Sequence, residues 1–313
     1  MRVATVTLNP AIDQTIWIDG FQLNAVNRAR FMQIEASGKG VNVASFLADN
    51  GIATVATGYL GQDNADLFEQ FFASKHIEDH FVRIPGRTRI NVKIVDAVNQ
   101  HSTDLNLPGL TPPDEALATL LEVLEKLVAS CDWFVLSGSL PPGASTTSYA
   151  TIITHLKRHG KHVVLDTSGE ALRKGIQAGP TIVKPNIDEL QYLAGRTLTS
   201  ETDIQQSARY LLNEDTRLVV VSMGERGAMF VNQDTTLLAV PPTMSVTRTA
   251  GAGDAMVAGL IVGQIQGPNL TDCAQLATAF SMGAITRAGS QLPTRETLRG
   301  YARSVSVQTM KQQ

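Results

Sequence analysis

Apolar positions along the chain gather into short runs rich in valine, isoleucine and leucine, separated by turn residues and by stretches with helical spacing. Arg2–Leu8 reads as a buried strand, Val41–Asn50 as a helix stopped by Gly51, Ile52–Gly58 as a strand and Asn64–Ser74 as a helix. Thr111-Pro112-Pro113-Asp114 predicts a helix start, because threonine can cap, proline suits the first turn and an acid favours it; that helix runs to about Ala129. Four further runs, Trp133–Leu136, Val163–Asp166, Thr181–Val183 and Leu218–Ser222, are each followed by turn residues and then a helical pattern. Short β-branched runs alternating with helices predict an α/β fold, a parallel sheet covered on both faces.

Gln14–Ile18 and Arg89–Val95 break that rhythm, being strands with no helix before the next strand. In the second, Ile90, Val92 and Ile94 alternate with Arg89, Asn91 and Lys93, which puts the polar set on one face of a half-exposed sheet. A turn near Asp96–Asn99 and a return strand near Thr103–Leu107 complete a hairpin. We expect these pieces, from about 13–35 and 87–108, to form a small β-sheet lid within a single domain spanning 1–313; an ordinary edge hairpin is the alternative.

Composition narrows the function. At 43% hydrophobic and 18% charged residues, the 313-residue chain can bury a sizeable core. Twenty-six basic residues against 29 acidic ones leave a net charge of −3, and aromatic residues make up 5%. Neither a basic surplus nor a stacking surface suggests nucleic acid or an anionic membrane, so a small-molecule partner is expected. Cys131 and Cys273 stand far apart, and the six histidines show no metal spacing. MRVATVTLNP is too short for a secretory signal, and the apolar stretch Ala255–Ile265 is about half of the ~20 residues a membrane span needs, so a cytoplasmic location is expected.

The candidate chemistry sits at strand–helix junctions. Thr249-Ala250-Gly251-Ala252-Gly253-Asp254 precedes an apolar helix, and its lack of bulk lets backbone N–H groups line a concavity suited to a phosphate or developing anion. Asp254 either stabilises the helix start or acts as a general base toward a hydroxyl attacking phosphorus. A dinucleotide fingerprint would place its glycines after the first strand, where Leu8-Asn9-Pro10 stands instead, and Walker, HRD and DFG motifs are absent. A second glycine loop, Gly38-Lys39-Gly40-Val41-Asn42, offers an unhindered cation and an amide for sugar hydroxyls. Val183-Lys184-Pro185-Asn186-Ile187-Asp188-Glu189 sets Asn186 and Glu189 on one face of a helix start, as hydrated magnesium or a plain capped helix would use them. Ser222-Met223-Gly224-Glu225-Arg226-Gly227 is a turn open enough for a nucleotide. Asp13 and Asp166 are read as lying just past strands, either as turn residues or as site carboxylates.

In their order along the chain, GKGxN, VKPNxxE, SxGxxG and TxGAGD resemble the PfkB-type carbohydrate kinases of the ribokinase-like superfamily, over Arg2 to about Leu298. The resemblance implies a three-layer ribokinase-like fold with a β lid over the sugar and a homodimer through the lid. It implies ATP-dependent phosphorylation of a phosphosugar hydroxyl, with ATP and Mg²⁺ as cofactors. Leu8-Asn9-Pro10-Ala11-Ile12-Asp13 and Arg87-Thr88-Arg89-Ile90-Asn91-Val92-Lys93 look most like the branch that converts fructose 1-phosphate to fructose 1,6-bisphosphate. Kinases of tagatose 6-phosphate and fructose 6-phosphate are near relatives, and a non-catalytic phosphosugar-binding protein is the remaining reading. By motif, Asp254 is implied as the base and Gly251, Ala252 and Gly253 as the anion hole. Asp13, Asn27, Gly38, Lys39, Asn42, Arg89, Asn91, Lys93 and Ser139 are implied on the phosphosugar; Lys184, Asn186, Ser222, Gly224 and Gly227 on the nucleotide; Asn186 and Glu189 on magnesium, with Asp166 as a further candidate. Lys39, Arg89 and Lys93 are cations suited to a phosphate already on the sugar. One departure is Arg248, which stands where many sugar kinases of this superfamily carry an aspartate that helps hold a monovalent cation.

Overall fold

A computed structural model describes residues 1–244, 251–267, 269–286 and 291–311. Among these, eleven strands form one sheet, in the order β15 (Ser306–Thr309), β14 (Thr236–Val240), β13 (Ala228–Val231), β12 (Leu218–Ser222), β11 (Ile182–Val183), β10 (His162–Asp166), β9 (Trp133–Ser137), β1 (Arg2–Thr7), β4 (Ala53–Gly61) and β5 (Glu78–Asp79), with β6 (Val82–Ile84) also on β4. From β12 to β5 every pairing is parallel; β13, β14 and β15 run antiparallel. Thus β12 leads into a hairpin and not into the helix its pattern suggested, because Gly224 and Gly227 adopt positive φ and turn the chain back within five residues.

Side chains of a strand alternate between faces, and the central strands use both. Val3 of β1 packs with α1 (Lys39–Asp49), α8 (Ala252–Gln266), α9 (Leu270–Ile285) and α10 (Arg295–Ser304). Ala4 and Val6 pack on the other face with α3 (Ala116–Leu127), α4 (Ser148–Arg158) and α5 (Gly169–Gln177). The chain is therefore a three-layer α/β fold, with a further cluster where α6 (Ile187–Ala194) and α7 (Glu201–Tyr210) cover β12–β14. The apolar stretch after Asp254 packs inside the protein: α8 is buried from Asp254 to Gly263, and Gly259 lets α9 approach so closely that a Cβ there would meet the Ala277 backbone. No helix among the described residues is long and apolar enough to cross a membrane.

A separate four-stranded sheet has the order β3 (Ala29–Ser37), β2 (Ala11–Ile18), β7 (Ile90–Asp96) and β8 (His101–Leu105). Register places Asp13 beside Asn91 and Thr15 beside Lys93, so the polar set shares one face, as the alternation predicted. Asp13 lies inside β2, not past a strand, and the return strand ends two residues earlier than expected. Its base packs against α2 (Asp66–Ser74) through Ile12, Ala36 and Phe68. The predicted start at Thr111 is also displaced: α3 begins at Ala116, and its boundary residue Glu115 makes no side-chain cap.

Candidate active site

The sites suggested by sequence converge: α6 follows the parallel strand β11, α1 starts against the carboxyl end of β1, where Gly40 abuts Val6 and Thr7, and the start of α8 lies beside Lys184. At the start of α8, Gly251 adopts φ 85°, ψ −7°, a left-handed conformation that costs any residue with a Cβ. This turn aims the first N–H groups of Ala252 and Gly253 outward, with Asp254 in the first helical turn. Asp254 is buried, and one carboxylate oxygen accepts a 2.8 Å hydrogen bond from Asn42 Nδ2 on α1. Burial pushes its carboxyl up to about 6; the Lys39 charge and the Asn42 bond pull the other way, while the Asp166 charge adds to the rise.

Asp166 ends β10 and stands between two ammonium groups, 3.2 Å from Lys39 Nζ and 3.3 Å from Lys184 Nζ, with Ser137 Oγ donating to its other oxygen at 3.3 Å. Burial opposes its ionisation, yet the charges of Lys184 and Lys39 outweigh it and hold the carboxyl below its ordinary value. The same Asp166, above all, holds the Lys39 ammonium above the usual lysine range. Lys184 also approaches the anion loop: a Cβ added at Gly253 would lie 3.5 Å from its Nζ. One chain of contacts thus runs from the glycine loop through Lys184 and Asp166 to Lys39.

Asn186 is the N-cap of α6, and with Glu189 it forms a reciprocal capping box: Glu189 N donates to Asn186 Oδ1 at 2.8 Å and Asn186 N to Glu189 Oε2 at 2.9 Å. The capped-helix reading therefore holds, and it leaves Glu189 Oε1 uncommitted by that pair. Burial raises the Glu189 carboxyl above its ordinary value. Ser222 sits beside this cap, donating its N–H to Pro185 O at 3.0 Å, and Gly224 and Gly227 turn the chain just beyond.

At the base of the small sheet, Asn91 Nδ2 donates to Asp13 Oδ1 at 3.1 Å, while its Oδ1 accepts from Leu107 N. Gly38 precedes α1 at φ 126°, and a Cβ there would press on Thr7 and Pro10. Arg89 spends three of its five N–H groups on the carbonyls of Pro10, Leu107 and Asn9, at 3.2, 2.7 and 3.0 Å. Lys93 is paired with Asp104 at 2.8 Å. Asn27 is set apart from the others: it lies in the connection between β2 and β3, at the far end of the small sheet, and its amide closes that loop on Gln22 and Ala25. Ser139 is exposed just after β9, with Asn9 Nδ2 donating to its Oγ at 3.3 Å. Arg248, Thr249 and Ala250 lie outside the described residues.

Sequence reading missed three supports of this crevice. Asn9 Nδ2 also reaches Pro108 O and Leu140 O, tying the ends of the small sheet to the loop after β9. Tyr149 and Thr167 hydroxyls both donate to Gly138 O, at 2.9 and 2.8 Å, which fixes the peptide before Ser139. The turn Leu8-Asn9-Pro10 was a signal for the first; the other two are ordinary helix and strand-end residues with none.

A family model described as pfkB family carbohydrate kinase matches residues 6–297. Over 311 residues the chain is 46% identical to the 1-phosphofructokinase of Rhodobacter capsulatus, covering 99% of this chain and 98% of that protein. It is 39% identical over 309 residues to the 1-phosphofructokinase of Vibrio cholerae, covering 99% and 97%. Among solved structures, phosphofructokinase-2 from Escherichia coli in complex with substrates and products matches with a TM-score of 0.90 at 26% identity, over 97% of this chain and 99% of that one.

Proposed function

The chain belongs to the pfkB family of carbohydrate kinases, which implies use of ATP, and we propose that it transfers the γ-phosphoryl group of ATP to fructose 1-phosphate, giving fructose 1,6-bisphosphate. The observation that carries this reading is Asp254, a buried carboxylate raised to about 6 in the first turn of α8, beside the N–H groups of Ala252 and Gly253. At neutral pH it is mostly ionised yet basic enough to take the proton of an attacking hydroxyl, a role worth ~10²–10⁴-fold in rate. Asn42 holds the accepting oxygen in place. Gly251, Ala252 and Gly253, with Lys184 alongside, offset the charge that spreads over the moving phosphoryl group. Asp13, Asn91 and Ser139 orient sugar hydroxyls, while Lys39 and the two spare N–H groups of Arg89 bind the sugar's own phosphate. Ser222, Gly224 and Gly227 border the nucleotide.

The donor set fits magnesium, which takes few protein oxygens and keeps several waters: Glu189 Oε1 and Asn186 border the phosphate side of the crevice. Bound there, the ion would neutralise phosphate charge. The exposed face of the small sheet is proposed to pair two copies of the chain into a homodimer, and the enzyme to work in the cytoplasm.

Turnover should be measured against fructose 1-phosphate, fructose 6-phosphate and tagatose 6-phosphate, with Asp254→Asn in parallel. Fructose 1-phosphate should give the highest kcat/KM, and the variant should lose ~10²-fold or more in kcat. A better 6-phosphate substrate overturns the sugar assignment; near-normal turnover by Asp254→Asn overturns the base.

A further inference from the structure

Away from the crevice, Glu125 on α3, His155 on α4 and His159 at the C-cap of α4 bring three ligand atoms within 4.8 Å of one another. The histidines are one helical turn apart on one face, with ring centroids separated by 5.2 Å. Both Nε2 atoms converge on the same carboxylate oxygen, Glu125 Oε2, at 3.2 Å for His155 and 3.1 Å for His159. His155 Nε2 is sealed from solvent and, despite that distance, makes no hydrogen bond. A buried ring nitrogen without a hydrogen bond is costly unless something else takes its electron pair. Lys157, between the two histidines in sequence, does not compete for the carboxylate, since it pairs with Asp215 and donates to Ala178 O.

We propose that Glu125, His155 and His159 form a binding site for a divalent transition ion, zinc in the first place, which clamps α3 to α4. Zinc bonds nitrogen and carboxylate oxygen at ~2.0–2.2 Å, so tetrahedral ligand atoms stand roughly 3.3–3.6 Å apart, close to the 3.2 and 3.1 Å between each histidine nitrogen and the Glu125 oxygen. Two imidazoles and one carboxylate select zinc, cobalt, nickel or copper over magnesium, which wants oxygen ligands. The site leaves a fourth position to water. It lies at the carboxyl end of α4, whereas Tyr149, near the amino end, contacts the Gly138 loop of the crevice. A helix rises ~1.5 Å per residue, which puts the cluster roughly 9–15 Å along α4 from that contact, and the bound ion steadies the scaffold without entering the reaction. The expectation that the histidines carry no metal spacing fails here, because His155 and His159 are four residues apart on a helix.

The test uses the full chain, stripped with a chelator and kept in excess magnesium so that oxygen sites are occupied. Zinc titrated against a chromophoric chelator should show one tight equivalent, and cobalt should give the intense visible bands of a tetrahedral site. Both signals should disappear in Glu125→Gln and in His155→Ala/His159→Ala, and zinc should raise the melting temperature of the wild type only. His159→Ala alone, at an exposed helix end, provides a variant whose fold and magnesium-dependent turnover stay unchanged. No tight equivalent in the wild type, or undiminished binding in the variants, overturns the proposal.

Discussion

Two aspartates in one crevice are pushed in opposite directions, and the difference lies in what surrounds each. Asp254 has an amide for a partner and burial lifts it to about 6; Asp166 has two ammonium groups and is held low. For Asp254 the ionised form is the useful one, so kcat/KM should fall about tenfold per pH unit below about 6 and level off above it. A profile flat down to pH 5 would remove Asp254 from the proton transfer. For Asp166 the sign is reversed: a lowered folded-state value contributes stability above the unfolded value, lost as pH falls through the folded one. Asp166→Asn leaves Lys184, whose side chain is 4% exposed, facing Lys39 without compensation. Breaking such a buried pair costs ~3–5 kcal/mol, and urea unfolding at neutral pH should read a loss of that size. A loss under ~1 kcal/mol would mean that the lysines relax into solvent.

The glycine turn before Asp254 belongs to the scale of the element, because the N–H groups it presents depend on how α8 starts. Gly251 stands in the left-handed region, and Gly251→Ala should cost ~1–2 kcal/mol of strain. The loop can relieve that strain only by turning its N–H groups away, and each ~1.4 kcal/mol of lost phosphoryl stabilisation lowers kcat tenfold. We expect reduced kcat with little change in the KM for the sugar; an unaffected kcat would show that the loop does not meet the transferred group. The motif was legible because only glycine and alanine leave that concavity open. The start of α3 was not legible: Thr111 and its prolines satisfy the local rules for a helix start, but the helix begins where Ala116 can bury against the sheet face. Nor was the return of β13 onto β12, since a buried strand before a helix and one before a hairpin carry the same apolar run.

At the scale of the whole molecule, the small sheet is the part whose surface is unfinished. Phe31, Met32, Ile34 and Leu105 are exposed on it, and Trp17 stacks on Phe31 with centroids 4.3 Å apart. Register puts Met32 and Ile34 on the face opposite Asp13 and Asn91, so that covering them leaves the polar face toward the crevice. Met32→Glu/Ile34→Glu should convert a dimer to a monomer in sedimentation without changing the melting of the main body. A monomeric wild type would dispose of the pairing.

The alternation of strands and helices as far as β12, the polar face of the β7 strand and the glycine turns beside Asp254 and Lys39 were legible in the chain alone. Each rests on local physics: periodicity of burial, and backbone turns that only small residues permit. What the tertiary structure decided was partnership. That Asn42 meets Asp254 across 212 positions, that Asp166 balances two lysines, that Arg89 is largely spent on carbonyls and that Asn27 lies at the far tip all depend on which elements pack together. A side chain's type fixes what it can donate or accept; only the folded neighbourhood supplies the charge and the desolvation that set which state it holds.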